Sequence, residues 1–476
     1  MSRIRRVAVV LCAIALLLPG SVLAVTREIA DERDSPLTFR RSVINQLTHD
    51  LFWDPYDELG RRPFNLPFVN IDRHGNLSPW PDQEGDHRHY VNALVGNNGN
   101  TNVQQGSDVF SGAYIRQPGS AFNWGISASL FADDNENTGT NPVDSIRVTN
   151  SLTGYDLRFA AAYVLNESFT IGGGIDLSGR DDEETASSFE LGIGGFNGTD
   201  EVTRSGFGFD VGVRHFLDER SSWQAQLIYG NGSTEQNEFA ESLDDTGAIV
   251  ARTDILNYDI TDTTIVLGGA YNRRFQALRG EWQAGLTLGQ IESSLDNSDL
   301  AFDEGGPLVT LLGQDAVTET SIVASFGSIN LAGPSTQVFT GAELTLSTLD
   351  GSTEIGDGVN TSSESIDDTL TALGLKLGIR QPLGTDKLRL IASTRADFLD
   401  REMKDVFDAS TSTDGSTRTT TEYAIGVEGV FLNMTFDLAW RFGEEVALSP
   451  APGESTGLSR RVIEFDRLIA AAIFAW

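Results

Sequence analysis

The sequence predicts an all-β fold: a transmembrane antiparallel β-barrel of about 16 strands, with 14 and 18 as the neighbouring even counts. Three observations predict it. Segments of about ten residues alternate apolar and polar side chains from residue 107 to the C terminus. Short turns take turns with long acidic connections. The chain also ends `RLIAAAIFAW`, where Leu468, Ala470, Ala472, Phe474 and Trp476 share one parity. Termini of water-soluble domains are ordinarily polar and frayed, so an alternating strand that stops on tryptophan asks for a membrane.

The N terminus supports this. `MSRIRRVAVVLCAIALLLPGSVLA` opens with Arg3, Arg5 and Arg6, continues with an apolar run from Val7 to Leu18, and breaks at Pro19-Gly20. Val22 and Ala24 give the small-residue form of a cleavage site, so residues 1–24 read as a secretory signal peptide. The run is too short to span a bilayer comfortably as a helix. The only cysteine, Cys12, lies within it, which leaves the mature chain without thiol chemistry, disulfides or cysteine metal sites. The predicted organisation is signal peptide 1–24, an N-terminal periplasmic extension or plug 25–86, and a barrel 87–476.

The formal net charge is −34. Such acidity repels phosphate backbones and excludes nucleic acid as a partner. No other stretch of the sequence reaches the roughly 18 consecutive apolar residues of a membrane helix.

From about residue 107 one unit recurs: strand, short turn, strand, long acidic connection. `FNWGISASLF` sets Phe122, Trp124, Ile126, Ala128 and Leu130 against Asn123, Gly125, Ser127 and Ser129. `LTALGLKLGIR` sets Leu373, Leu375, Leu377 and Ile379 against Gly374, Lys376, Gly378 and Arg380. `WQAQLIY` and `TFDLAWRF` alternate in the same way. Short turns centre near Pro118, Asn166, Glu219, Leu278, Pro334, Leu383 and Leu432. The opposite connections include `DDNENTGTNPVD`, `GRDDEETASS`, `FAESLDDTG` and `GSTEIGDGVNTSSESIDD`. Phe122, Phe169, Trp223 and Trp282 each begin the strand returning from a short turn, so they fall at one height and form an interfacial girdle.

Seven such hairpins and the closing strand make an odd total. Single-chain bacterial barrels have even numbers, so one further strand precedes residue 107, and `HRHYVNALVG` at 87–96 is the candidate.

At this point the chain resembles the Gram-negative outer-membrane β-barrel proteins, porins included, whose last strand ends in an aromatic residue. Leu468, Phe474 and Trp476 match that pattern, with tryptophan in place of the more usual phenylalanine. The resemblance implies an outer-membrane location, recognition by the barrel-assembly machinery, and contact with membrane lipid and lipopolysaccharide. A homotrimer is the further assembly expected of a porin-like chain.

Residues 25–86 differ from the rest. Pro55, Pro63, Pro67, Pro79 and Pro81 argue against central strands. The segment reads as a periplasmic extension, a plug inside the lumen or a strap on the barrel. His87 and His89 share one side of a strand but lack a third ligand, so no metal site is assigned. Asp133, Asn135 and Asn137 have alternating oxygen donors without the glycine spacing of a calcium loop. Divalent cations bridging the acidic connections are the one cofactor-like expectation. His215 reads as an interfacial side chain, no nucleophile motif is present, and no enzyme activity is predicted.

The charges on the lumen parity carry the functional expectation. Lys376, Arg380, Arg389, Arg395, Arg441 and Arg467 belong to the last five strands, while Asp156, Asp176 and Asp210 belong to the first half. Rows of charge set selectivity in aqueous pores. Glu343, Glu428, Asp397 and Asp437 share the inward parity and would neutralise part of the basic wall. The connection `SSFELGIGGFNGTDE` at 187–201 carries Phe189, Glu190, Gly194, Gly195 and Phe196. It loosely resembles the constricting third loop of 16-stranded porins, or else continues two strands above the membrane. The expected function is passive diffusion of ions or small hydrophilic solutes. The alternatives are a structural or interaction barrel without an open pore, and a transporter of hydrophobic molecules.

Overall fold

A computed structural model describes residues 63–68, 70–71, 77–78, 89–97, 108–116, 121–140, 145–190, 194–243, 248–275, 280–300, 309–314, 317–332, 336–356, 361–384, 387–407, 410–431, 434–450 and 458–475. The signal peptide, Cys12, His49, His74, His87 and the terminal Trp476 lie outside the described residues.

The described chain begins with one 3₁₀ segment, Pro63–Phe68, and a small hairpin of β1 (Asn70–Ile71) and β2 (Leu77–Ser78). The wall then starts with β3 (His89–Asn97) and β4 (Asp108–Arg116). It continues through β5 (Phe122–Thr140), β6 (Ser145–Asn166), β7 (Phe169–Glu190), β8 (Gly194–Phe216), β9 (Ser221–Leu243) and β10 (Ile249–Phe275). Next come β11 (Gly280–Leu300), β12 (Val309–Gln314), β13 (Val317–Leu331) and β14 (Gln337–Gly356). The last five are β15 (Thr361–Pro382), β16 (Leu388–Phe407), β17 (Ser410–Phe431), β18 (Met434–Pro450) and β19 (Leu458–Ala475).

β3 to β19 form one closed antiparallel ladder. β19 closes it on β3, with Ile469 opposite Gly96 and Ala475 opposite Tyr90. β12 is not an independent stave. It pairs with the tip of β14, above the end of β13, and meets β11 only at Asp299 and Leu300. The predicted extra strand before residue 107 is β3, and every predicted short turn falls between two described strands.

Closure follows from the chemistry of the backbone. In hydrocarbon every N–H and C=O must be bonded within the protein, and a closed sheet leaves no edge. The alternation then decides which side faces what. Phe159 and Leu157 on β6 are 47% and 43% exposed, while Arg158, Ala160 and Ala162 of the opposite parity are at most 9% exposed. Leu373, Leu375, Leu377 and Ile379 on β15 are likewise exposed, and Lys376 and Arg380 buried. The polar parity therefore faces the interior and the apolar parity faces outward.

The acidic connections depart from expectation. `GRDDEETASS` lies wholly within β7, and most of `DDNENTGTNPVD` and `FAESLDDTG` lies within β5 and β9. `GSTEIGDGVNTSSESIDD` supplies the ends of β14 and β15. The ladder continues far above the apolar belt because backbone pairing satisfies N–H and C=O groups there as well. Both faces are wet at that height, so the sequence loses its period-2 contrast. The long loops expected on this side are tall hairpins.

Candidate functional site: the lumen wall and its 3₁₀ insert

The inner wall carries two separate charged clusters. On β6–β9, the Arg158 guanidinium hydrogen-bonds both Asp176 and Asp210, and the Gln226 amide donates to Asp210 at 3.1 Å. On β14–β17, the Arg389 guanidinium donates to Glu428 Oε1 at 2.7 Å, and Arg380 reaches the same oxygen. Lys376 Nζ lies 3.9 Å from Glu343, and Arg395 pairs with Asp397. Higher up, Arg401 binds Asp368.

These contacts change the reading of the basic wall. Lys376, Arg380, Arg389 and Arg395 do come together on β15 and β16, as their parity required. Each is met by a carboxylate from its own or a nearby strand, so they form a paired mosaic in place of an open cationic row. Placing ions in a closed interior is costly unless they are paired and hydrogen-bonded. Asp176 and Asp210 are joined through Arg158, and Asp156 occupies an exposed position. Arg441 and Arg467 are direct partners across β18 and β19, and their side chains lie outside the described residues.

The expected constriction loop is also corrected. Phe189 pairs with Gly195, Glu190 with Gly194, and Phe196 with Ser188, all in unbroken register between β7 and β8. β9 flanks the same stretch, with Leu243 opposite Gly195. A segment held in the ladder on both sides cannot also fold across the lumen. These residues form the upper end of a tall hairpin. Among the terminal residues, Leu468 pairs with Trp440, and Phe474 pairs with Met434 and Val91.

Something else enters the lumen side. Pro63–Phe68 lies against β5–β8, with Phe64 and Leu66 fully buried. Its seat is made by absent side chains. A Cβ on Gly172 would fall 2.4 Å from the Phe64 backbone nitrogen, and a Cβ on Gly212 would fall 2.4 Å from the Phe64 ring. Both glycines share the inward parity of Arg158, Asp210 and Arg214, and Ala160 and Ala162 are buried on the same part of the wall. No periodicity announces this contact. The available signal is indirect: three consecutive glycines, 172–174, in a strand that has no turn there.

The outer face has a matching order. Tyr114, Trp124 and Phe159 form one aromatic cluster, and Phe169, His215 and Trp223 form another. Tyr271, Trp282 and Phe326 make a third. All belong to strand segments near the short turns. His215 accepts a hydrogen bond from the Trp223 indole N–H at 3.1 Å, which sets it in the girdle as an interfacial side chain. An outward apolar band above such a girdle, around an ionised interior, is a lipid-facing surface.

The described strands form a membrane-type β-barrel.

No protein-family model matches this chain, and no curated protein sequence matches it. Solved structures resemble it in overall course. The toluene transporter TodX of Pseudomonas putida is 12% identical, over 90% of this chain and 97% of that one, with a TM-score of 0.40. The toluene transporter TbuX of Ralstonia pickettii is 10% identical, over 90% and 95%, with a TM-score of 0.37. CdiB from Escherichia coli is 11% identical, over 85% and 66%, with a TM-score of 0.39. Similarity at this level concerns the fold alone. Among the described residues no group of three His, Cys, Asp or Glu side chains is placed to hold a metal ion.

Proposed function

We propose that this barrel is a channel for small hydrophilic solutes, and that the segment around Pro63–Phe68 is a plug seated on its inner wall. The observation that carries the reading is the seat itself. Phe64 fills a space on the lumen side that Gly172 and Gly212 leave open, so an N-terminal element occupies the route a solute would take. The wall around it is polar and ionised, which suits water-borne permeants. The paired charges narrow and structure the interior without giving it a strong net sign.

A second reading has support from Phe339 and Ile391, which are buried at 1% and 2% exposure on the inward parity of β14 and β16. Together with Phe64 and Leu66 they give the interior apolar surface, as a carrier of hydrophobic molecules would need. Liposome swelling with the full chain separates the two. Entry of arabinose and glucose, with raffinose slower, supports the hydrophilic channel. Exclusion of all three sugars by both the wild type and Phe64→Ala, combined with uptake of an aromatic hydrocarbon, supports the second reading and overturns the first.

A further inference from the structure

The periplasmic end of the inner wall holds polar side chains that nothing described so far uses. Thr170 on β7, Gln224 on β9, Asn272 on β10 and Gln283 on β11 are exposed by only 0%, 6%, 4% and 2%. Thr170 Oγ1, Gln224 Oε1, both amide atoms of Asn272 and both of Gln283 have no hydrogen-bond partner. Asn272 and Gln283 are direct cross-strand partners, which sets their Cβ atoms about 5 Å apart. Gln224 and Thr170 are both direct partners of Arg214, one on each side of β8. The four residues thus form a curved row on one face, next to the wall that seats Phe64.

Buried polar groups in folded proteins are nearly always satisfied, and a concentration of exceptions asks for a ligand or water. The chemistry of the row limits the candidates. It offers amide oxygens as acceptors and amide N–H groups as donors, with no carboxylate among the four. An anion would use the donors and leave the oxygens unmet. An ammonium group would do the reverse. A hydroxyl donates and accepts at once, so several hydroxyls on one molecule satisfy both sets. Both ends of Asn272 and of Gln283 are unpaired, so either orientation of each amide leaves a donor and an acceptor open. Arg214 and Ser222 complete one side of the patch, bonded to each other at 3.0 Å, with the Arg214 guanidinium 4.4 Å from the Phe216 ring centre.

We infer that Thr170, Gln224, Asn272 and Gln283 form a binding subsite for a neutral polyhydroxylated solute, a mono- or disaccharide, at the periplasmic end of the lumen. The inference rests on the channel reading and names the solute class for it. The test is calorimetric titration of the detergent-solubilised full chain with glucose and maltose, and with sodium sulfate and choline chloride as anionic and cationic probes. Saturable heat is expected with a sugar and with neither salt. The double variant Asn272→Leu/Gln283→Met should bind that sugar at least tenfold more weakly. Its thermal midpoint should not fall, because isosteric apolar groups replace amides that lack partners. Gln224→Met, made singly, should weaken binding several-fold and keeps the test alive if the double variant does not fold. No saturable heat with either sugar, binding of sulfate or choline instead, or equal sugar affinity in the variants would each overturn the subsite. A chain that binds sugar but admits none in the swelling assay, as wild type or as Phe64→Ala, overturns the channel and leaves the subsite. A chain that admits sugars but binds none overturns the subsite and leaves the channel.

Discussion

Glu428 offers the sharpest test of how the wall is held together. Its side chain is fully buried and receives Arg380 and Arg389, each arginine side chain only 7% exposed. Glu428→Leu removes one negative charge and leaves two cations facing the same apolar replacement. Both bonded one oxygen, so their centres lie about 5–6 Å apart, and at an effective dielectric constant of about 20 their repulsion is roughly 3 kcal/mol. Breaking a buried ion pair by deleting one partner costs about 3–5 kcal/mol in other proteins, which brackets the same figure. The assay is reversible urea unfolding of the chain inserted in lipid vesicles. The variant should lose about 3–5 kcal/mol. The triple variant Arg380→Met/Arg389→Met/Glu428→Leu, which removes the charges together, should recover most of that loss. A loss below about 0.5 kcal/mol in Glu428→Leu would show that lumen water solvates these groups and that the cluster is not a structural unit.

Other outcomes follow from the two faces of the wall. Leu375 is 45% exposed on the outward parity of β15, so Leu375→Arg should cost about 2–4 kcal/mol in the same unfolding assay if the residue meets the bilayer midplane. Above the belt, Asp350 lies directly opposite Asp367, and the hydrogen bond with the Asp367 carboxyl raises the Asp350 pKa. A raised carboxyl favours the folded state below its unfolded pKa of about 3.9 and loses that contribution as pH climbs through the folded value. Asp350→Asn should therefore match the wild type at the acid end of a pH series and exceed it in stability at neutral pH. Trp476→Ser should leave export intact and lower the amount of heat-modifiable barrel in the outer membrane. An unchanged amount would remove the terminal tryptophan as an assembly signal.

Much of the barrel was legible because a membrane wall imposes a contrast that a sequence can carry. Where Leu373 to Ile379 face lipid and Gly374 to Arg380 face the lumen, each step of the chain switches solvent, and the parity is plain. The short turns stand out for the same reason, since alternation resumes on either side of Pro118 or Leu383. The contrast fails where both faces are wet. Asp181 to Glu184 have the composition of a loop, yet they pair with β6 and β8 as regularly as the apolar residues below them. Phe189 and Phe196 suggested a loop needing burial, but the register shows a hairpin end. Pairing within the lumen was half legible. Parity put Lys376, Arg380, Arg389 and Arg395 on one wall and named Glu343 and Glu428 as inward neighbours. It could not say that Glu428 would take two arginines, because that depends on register across three strands. The Phe64 seat left only the glycine run 172–174 as a trace, and the amide row left none. The seat joins residues far apart in sequence, and the row depends on strand register that alternation alone does not fix.

As proposed, an N-terminal element seated on Gly172 and Gly212 controls an aqueous channel. Planar-bilayer recording of the full chain, wild type against Phe64→Ala, tests it most directly. Truncating a fully buried phenylalanine removes about 3–5 kcal/mol of packing, and 1.4 kcal/mol is a factor of ten in an equilibrium constant. The seated state should then lose at least a hundredfold of its advantage. The account predicts a marked rise in open-channel occupancy for Phe64→Ala, with cation and anion permeability remaining comparable because the wall charges are paired. Equal occupancy in the two proteins, or no conductance steps in either, would contradict it.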